Sequence, residues 1–264
     1  MHSIEQRRVL RIGVDGEVAV DDFLAPEAPL EVRLGETPIA VLMRTPGHEA
    51  DLALGFAITE GIILRPTEIS AVRQTAGDDE GNRWEIVPAE GVSIDPEQFR
   101  RNLYTSSSCG VCGKASIDAV RIVSPPLPAG PIVDRGVILS LPERMGEAQA
   151  SFALTGGLHA AAAFSADGSL LAVREDVGRH NAVDKLVGAL AADTWPLPEM
   201  VLLVSGRISF EMVQKAAVAG ISLVCGVSAA SSLAVDLAVE LGVTVVGFLK
   251  SDGFNVYAGR QRVQ

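Results

Sequence analysis

Residues 201–250 read VLLVSGRISFEMVQKAAVAGISLVCGVSAASSLAVDLAVELGVTVVGFLK, and their rhythm decides the fold. Three short apolar runs, 201–204, 221–225 and 243–248, alternate with two stretches of helix-forming residues, 210–219 and 231–241. Gly206, Gly220, Gly226 and Gly242 mark the joints. Short apolar strands separated by helices of about ten residues build βαβ units, which cross over right-handed and make a parallel sheet. An α/β fold follows. Ligands of such sheets sit beyond the carboxyl ends of the strands. The loops Ser205-Gly206-Arg207, Gly226-Val227-Ser228 and Leu249-Lys250-Ser251 are therefore the first places to look for a site.

Toward the N-terminus, Phe164 and residues 170–173 flank the turn Ala166-Asp167-Gly168, a hairpin signal. Residues 179–192 read as a helix with Val183, Leu186, Val187 and Leu190 on its apolar face; in one of two readings of its start, a solvated cap, Asp184 and Lys185 lie on its wet face. The first 140 residues have another character: short strands at 30–34 and 38–43, then one largely buried helix over 49–61 that Gly61 ends. Residues 78–83 (DDEGNR) read as an exposed hairpin tip, and 124–131 (SPPLPAGP) as a linker or crossover. The chain divides there into residues 1–125, a smaller strand-rich α+β region, and residues 126–264, an α/β domain.

With 48% hydrophobic and 21% charged residues over 264 positions, the chain has material for a sizeable core. Its net charge of −11, from 22 basic and 33 acidic residues, excludes general affinity for nucleic acid or anionic membranes. Two stretches without charge, 148–166 and 216–235, are interrupted by glycines and hydroxyl residues, which reads as buried core rather than a membrane span. The start, MHSIEQRRVLRIGV, has no apolar run of signal length. Three cysteines, Cys109, Cys112 and Cys225, cannot form a disulfide framework. Both points favour the cytoplasm.

Cys109-Gly-Val-Cys112, flanked by Ser106-Ser107-Ser108 and Gly113-Lys114, is the sharpest local signal. A loop entering a helix there would favour a thiolate through its backbone N–H groups. The gain is large: about 3% of an ordinary thiol is ionised at pH 7, but about half when its pKa falls to about 7. Sulfur transfer through a persulfide, a dithiol redox pair, a zinc ligand pair and an inert turn all remain open on these residues. A structural zinc needs four ligands, and His48, His159 and His180 lack the spacing to supply them. In Arg174-Glu-Asp-Val-Gly-Arg179-His180, Arg179 and His180 stand where a helix start could grip a phosphate, or simply form a solvated cap. His159, in the apolar Thr155-Gly-Gly-Leu-His159, reads as a core histidine. Arg207, in a strand-end loop, reads as a ligand contact. Phe248 to Tyr257 offers a cation, a hydroxyl, a carboxylate and aromatics to a nucleotide, or else closes the sheet as a hairpin.

These blocks together resemble the formate dehydrogenase accessory sulfurtransferases, the FdhD family. The matching pieces are TPGHEADLALGFAITEGII (45–63), SSSCGVCG (106–113), TGGLHAA (155–161), REDVGRHNAVDKLVG (174–188), LLVSGRISFEMVQKAA (202–217) and FNVYAG (254–259). The resemblance implies a cytoplasmic sulfurtransferase that takes persulfide sulfur from a cysteine desulfurase. It would pass that sulfur to the molybdenum bis(guanine dinucleotide) cofactor, its bound substrate, for a formate dehydrogenase client. It further implies a homodimer, no structural metal, and a C-terminal three-layer domain similar to the cytidine deaminase fold. Cys109 would carry the persulfide, with Cys112 as its partner. The cofactor-binding stretch falls on Phe248, Leu249, Lys250, Ser251, Asp252 and Gly253, and Arg179 and Arg207 are added as anion contacts. No HxE pairs with a PCxxC here, so the zinc-hydroxide machinery of a deaminase is absent from the sequence. A cofactor chaperone that never handles sulfur and a thiol-disulfide oxidoreductase are the competing readings.

Overall fold

The structure is a computed structural model, and it describes residues 4–97, 99 and 124–264. The chain opens with a two-stranded antiparallel ribbon, β1 (Glu5–Gly13) and β2 (Gly16–Leu24), most of whose side chains are exposed. A four-stranded sheet follows in the order β4-β3-β6-β5, made of β3 (Ala28–Leu34), β4 (Thr37–Arg44), β5 (Ile69–Gln74) and β6 (Arg83–Pro88). Leu30, Val32 and Leu34, two apart on β3, turn inward. Helix α1 (Glu49–Thr59) lies on this sheet and is buried along its length from Leu52 to Thr59, as its nearly continuous apolar run requires.

Helices α2 (Arg135–Ala148) and α3 (Ala150–Thr155) come next. The sequence reading assigns no element to this stretch, because Pro142 inside α2 disguises it. The helix forms nonetheless: Asp134 accepts the N–H of Gly136 as a cap, and Ile138, Leu141 and Met145 share one buried face. The main sheet has six strands in the order β12-β11-β10-β9-β7-β8: β7 (His159–Phe164), β8 (Leu170–Asp176), β9 (Val201–Val204), β10 (Leu223–Gly226), β11 (Thr244–Lys250) and β12 (Gly253–Ala258). Helix α4 (Arg179–Asp193) precedes β9, and α5 (Phe210–Val218) and α6 (Ser232–Leu241) join β9, β10 and β11. Those three strands are parallel, as expected. The hairpin signal at Phe164 and 170–173 is borne out by the antiparallel β7–β8 pair, and the C-terminal hairpin reading by β11–β12; what corrects the expectation of a parallel sheet is β7, which runs antiparallel to β9, so the sheet is mixed. Short hairpins join β7 to β8 and β11 to β12, and a parallel pair needs a longer crossover.

Period-two alternation sends the strands' side chains to two cores. Ala161, Ala163, Leu202, Val204, Val224 and Val245 face α4, α5 and α6 in a cluster that continues through α1 to the small sheet. Ala160, Ala162, Val201, Leu203, Leu223, Cys225 and Val246 face the other way, onto Ile138, Leu141 and Met145 of α2. The two charge-free stretches lie within this core architecture. No helix among the described residues is long and apolar enough to cross a membrane.

Helices α1 and α4 cross with their backbones in contact. A Cβ built on Gly55 would stand 1.7 Å from the carbonyl oxygen of Asp184, and one on Gly188 would stand 1.9 Å from that of Asp51. This close approach overturns the wet-face reading of α4. Lys185 is 0% and Asp184 2% exposed, because α1 and α5 cover the face that the pattern leaves polar. Lys185 Nζ lies 2.7 Å from Asp176 Oδ2 and donates to the carbonyl of Thr45 at 2.8 Å. Lys215 Nζ reaches both oxygens of Asp184 (2.9 and 3.0 Å), Glu60 Oε1 (2.8 Å) and Thr59 Oγ1 (2.9 Å), while Thr59 donates to Asp184 at 2.7 Å. Burial pushes the Asp184 carboxyl up, against the pull of Lys215. Burial likewise lowers Lys185 in spite of Asp176. Lys215 rises, because Asp184 and Glu60 outweigh its burial.

Candidate functional site

The topology gathers the chemistry-bearing loops along one edge of the main sheet. The carboxyl ends of β9, β10 and β11 lie side by side there, as the parallel register requires. Because β7 runs antiparallel to β9, its first residue, His159, falls two residues beyond the level of Val204, beside Gly206. The end of β8 and the start of α4 fall there too, since His159 pairs with Asp176. The first turns of α4, α5 and α6 open onto the same ledge. Ile208 and Ala230 bridge in parallel, which ties the loop after β9 to the loop after β10.

Arg179, Arg207 and Lys250 have no ion-pair partner among the described residues; Arg207 and Lys250 are exposed and Arg179 is half-buried. Arg179 belongs to the first turn of α4, whose N-cap Gly178 offers no side-chain cap. His180, next to it, is buried and places Nε2 2.8 Å from Glu211 Oε2 on α5. The motif around them is otherwise architecture. Arg174 holds Asp51 through Nε and Nη2 (3.0 and 2.9 Å). Glu175 accepts from the N–H groups of Ser151 and Phe152 at the start of α3. Asn181 spans Asp176 and the carbonyl of Met43. Of this block, Arg179 is the cation left without an ion-pair partner among the described residues.

The stretch from Phe248 to Gly253 rises past the level of Gly226 by about three residues, roughly 10 Å of strand. It forms the tip of the hairpin between β11 and β12 and so a wall at one end of the ledge. Lys250, Ser251 and Asp252 are exposed there, while Gly253 is partly buried. Leu249 is 1% exposed in the lower core, so any contact it makes comes from its backbone. Phe248 is 46% exposed and holds φ at 51°, a left-handed conformation that is uncommon for a bulky residue. Its N–H donates to the carbonyl of Ser228 at 2.9 Å, which ties the wall to the loop after β10. Such strain, of order 1–3 kcal/mol, persists where the surroundings enforce it, and it gathers at binding sites. Tyr257 stands behind, against Gly247.

One ledge residue was not read as such from sequence, and it stands beside Ser205 of the loop that was. His159, taken as a core histidine, is half-buried, with Nδ1 3.3 Å from Ser205 Oγ. Ser205 Oγ also accepts the N–H of Ala160 at 2.9 Å. Burial, then Arg179 and His180, hold His159 below the ordinary imidazole range, with Asp176 opposing them. No periodicity marks His159 as a ledge residue, because the direction of β7 decides it. Cys109 and Cys112 lie outside the described residues. Cys225 is buried on β10 with its thiol pushed up to about 12 by desolvation, so it is an inert core residue. Among the described residues no group of three or more His, Cys, Asp or Glu is gathered to hold a metal ion.

Comparison with known proteins matches this architecture. The model of the FdhD/NarQ family matches residues 25–264, everything after the β1–β2 ribbon. The sulfur carrier protein FdhD of Streptomyces avermitilis is 50% identical over 273 residues, covering 98% of this chain and 95% of its own. That of Mycolicibacterium paratuberculosis is 47% identical and is covered over 100% of both chains. A crystal structure from Desulfotalea psychrophila, of a protein named as a formate dehydrogenase accessory protein, superposes with a TM-score of 0.78 over 99% of each chain. At 22% identity that likeness speaks for the mixed α/β fold alone. Family match, end-to-end relatives and shared fold agree, and this chain belongs to the FdhD/NarQ family, whose matched members here are sulfur carrier proteins.

Proposed function

We propose that this chain is a sulfurtransferase whose Cys109 carries sulfur as a persulfide. It takes that sulfur from a cysteine desulfurase and delivers it to the molybdenum bis(guanine dinucleotide) cofactor of a formate dehydrogenase. The observation that carries this reading is the Cys109-Gly-Val-Cys112 pair in a chain half identical, end to end, to a sulfur carrier protein. The thiolate of Cys109 attacks the sulfane sulfur of the donor persulfide; the donor leaves as its own thiolate, and Cys109 keeps the sulfur. Cys112 can later close a disulfide with Cys109 as the terminal sulfur departs. In sequence the pair lies between the small sheet and α2, near the division at residues 125 and 126 into two domains.

The cofactor is substrate here, seated on the ledge. Arg179, Arg207 and Lys250 meet its diphosphates, and Phe248 and the turn Ser251-Asp252-Gly253 meet a guanine nucleoside. Support comes from electrostatics: an acidic chain keeps three cations without ion-pair partners among the described residues on one sheet edge, where they focus a positive potential. We place the work in the cytoplasm, where thiols stay reduced, and the working unit as a homodimer.

Incubation with a desulfurase and cysteine, followed by mass spectrometry of the intact chain, tests the reading. Wild type gains the mass of one sulfur atom, reversible by dithiothreitol, and Cys109→Ala does not. Loading of Cys109→Ala equal to wild type refutes the assignment. Activation of formate dehydrogenase by a Cys109→Ala/Cys112→Ala double variant makes the protein a chaperone instead, and insulin reduction in a dithiol-coupled assay makes it an oxidoreductase.

A further inference from the structure

Around the first turns of α4 and α5 three buried polar atoms have no hydrogen-bond partner among the described residues: Nε of Arg179, Nδ1 of His180 and Oγ of Ser209. Unpaired buried groups are rare in folded proteins, and each needs a reason. Beside them stands a hydrogen-bond chain around a fourth group. Ser205 Oγ spends one lone pair on the N–H of Ala160 and lies 3.3 Å from Nδ1 of His159, a pair in which either atom can donate. With the hydroxyl as the donor, the proton of the neutral imidazole sits on Nε2, and that is the tautomer the inference takes. Nε2 has no partner among the described residues and, unlike the three atoms above, is not sealed from solvent.

His159, Arg179 and the Ser205–Gly206 turn border a single point. A Cβ built on Gly206 would lie 3.4 Å from both Cδ of Arg179 and Nδ1 of His159. With no side chain at Gly206, a ligand can approach the imidazole and the guanidinium together. We infer that this point recognises a diphosphate, with His159 donating from Nε2 and Arg179 from its guanidinium to the same phosphate group. Ser205 is the positioning residue that sets the imidazole tautomer. The inference rests on the reading of the ledge as the cofactor's nucleotide seat, and it names the residues that hold the diphosphate there.

Two features support it. First, a neutral imidazole donates a hydrogen bond without adding a charge that Arg179 would repel, and its burial beside Arg179 and His180 keeps it neutral. Second, the spacing fits. From β11, whose end carries Phe248, to β7, whose start carries His159, there are three strand intervals, roughly 14 Å. That is the reach of an extended nucleoside diphosphate, with its base against the β11–β12 wall and its phosphates beside β7, which leaves Lys250 on the wall to the diphosphate of the cofactor's other nucleotide.

Calorimetry on the full-length chain with GDP and with inorganic pyrophosphate as probes tests this. Wild type binds both. His159→Ala weakens both by a similar factor, about tenfold, as expected for one hydrogen bond to a charged group. His159→Gln, which keeps a donor near the place of Nε2, recovers most of the loss. Ser205→Ala weakens both probes less than His159→Ala does. Wild-type affinity in His159→Ala, or a loss confined to GDP, overturns the inference and leaves the nucleotide seat standing. A loss that His159→Gln does not recover, matched by a fall in the unfolding midpoint, also overturns it, because a packing role predicts that pattern. If wild type binds neither probe, the nucleotide seat itself fails and the inference with it.

Discussion

Lys185 and Lys215 lie on one side of the main sheet; Arg179, Arg207 and Lys250 stand on its edge, and the two groups meet opposite fates. The lysines are sealed in and paired, Lys185 by Asp176 and Thr45, Lys215 by Asp184, Glu60 and Thr59. Taking a cation out of water costs several kcal/mol, and only such close pairing repays it. The ledge cations stay in or near water and have no carboxylate partner among the described residues. In a chain of net charge −11, acidic partners are abundant. The difference separates charges that hold helices together from charges kept for something outside the chain. Both kinds occur within one motif: Asp184 and Lys185 belong to the first, Arg179 to the second.

Substitution at Lys215 gives the largest expected effect. Lys215→Met leaves Asp184 buried without its cation, at a cost of about 3–5 kcal/mol in urea unfolding. Asp184→Leu added to it should recover part of the loss, since the pair matters more than either charge. A cost under about 1 kcal/mol for the single change would erase the distinction between clamp and ledge. Gly55→Ala comes next. Its methyl would meet the carbonyl of Asp184 at 1.7 Å, so α1 must lift from α4, and overpacking of this kind costs about 1–3 kcal/mol. The ledge should behave otherwise: Arg179→Gln and Arg207→Gln leave the unfolding midpoint within about 0.5 kcal/mol of wild type while GDP affinity falls. A stability loss at Arg207 as large as at Lys215 would make the ledge one more structural network.

Much of the ledge was legible before any coordinates, because its parts follow from a local rule. Apolar runs at 201–204, 221–225 and 243–248, jointed by glycines, give strands whose carboxyl ends share an edge, and the three loops stand there. What escaped is set by tertiary packing. The pattern of α4 leaves Asp184 and Lys185 polar, and only the Gly55–Gly188 crossing with α1 shows that the polar face is covered and paired. His159 opens a run of alanines, HAAAAF, and nothing local says that β7 runs against β9. The β1–β2 ribbon carries alternation too weak to stand out, since both of its faces meet water. The two cysteines remain legible from sequence alone.

The smallest effect sharpens the comparison most, because it reads a protonation state rather than an affinity. His159 is held below the ordinary imidazole value of 6.5 by burial and by its cationic neighbours, so in the folded chain it stays neutral where an unfolded one would take a proton. Above pH 6.5 neither state binds that proton, and His159 contributes no slope to stability. Below it the unfolded chain gains a proton that the fold refuses, so stability falls as the pH drops. Urea unfolding of wild type and His159→Gln from pH 8 to pH 5 should therefore give curves that run parallel above about 6.5 and converge or cross below it, with wild type losing more. The opposite sign, wild type gaining on the variant as the solution is acidified, would mean an imidazolium stabilised by a partner in the chain. His159 would then be a paired structural charge like Lys215, and the neutral donor assigned to the ledge would not exist.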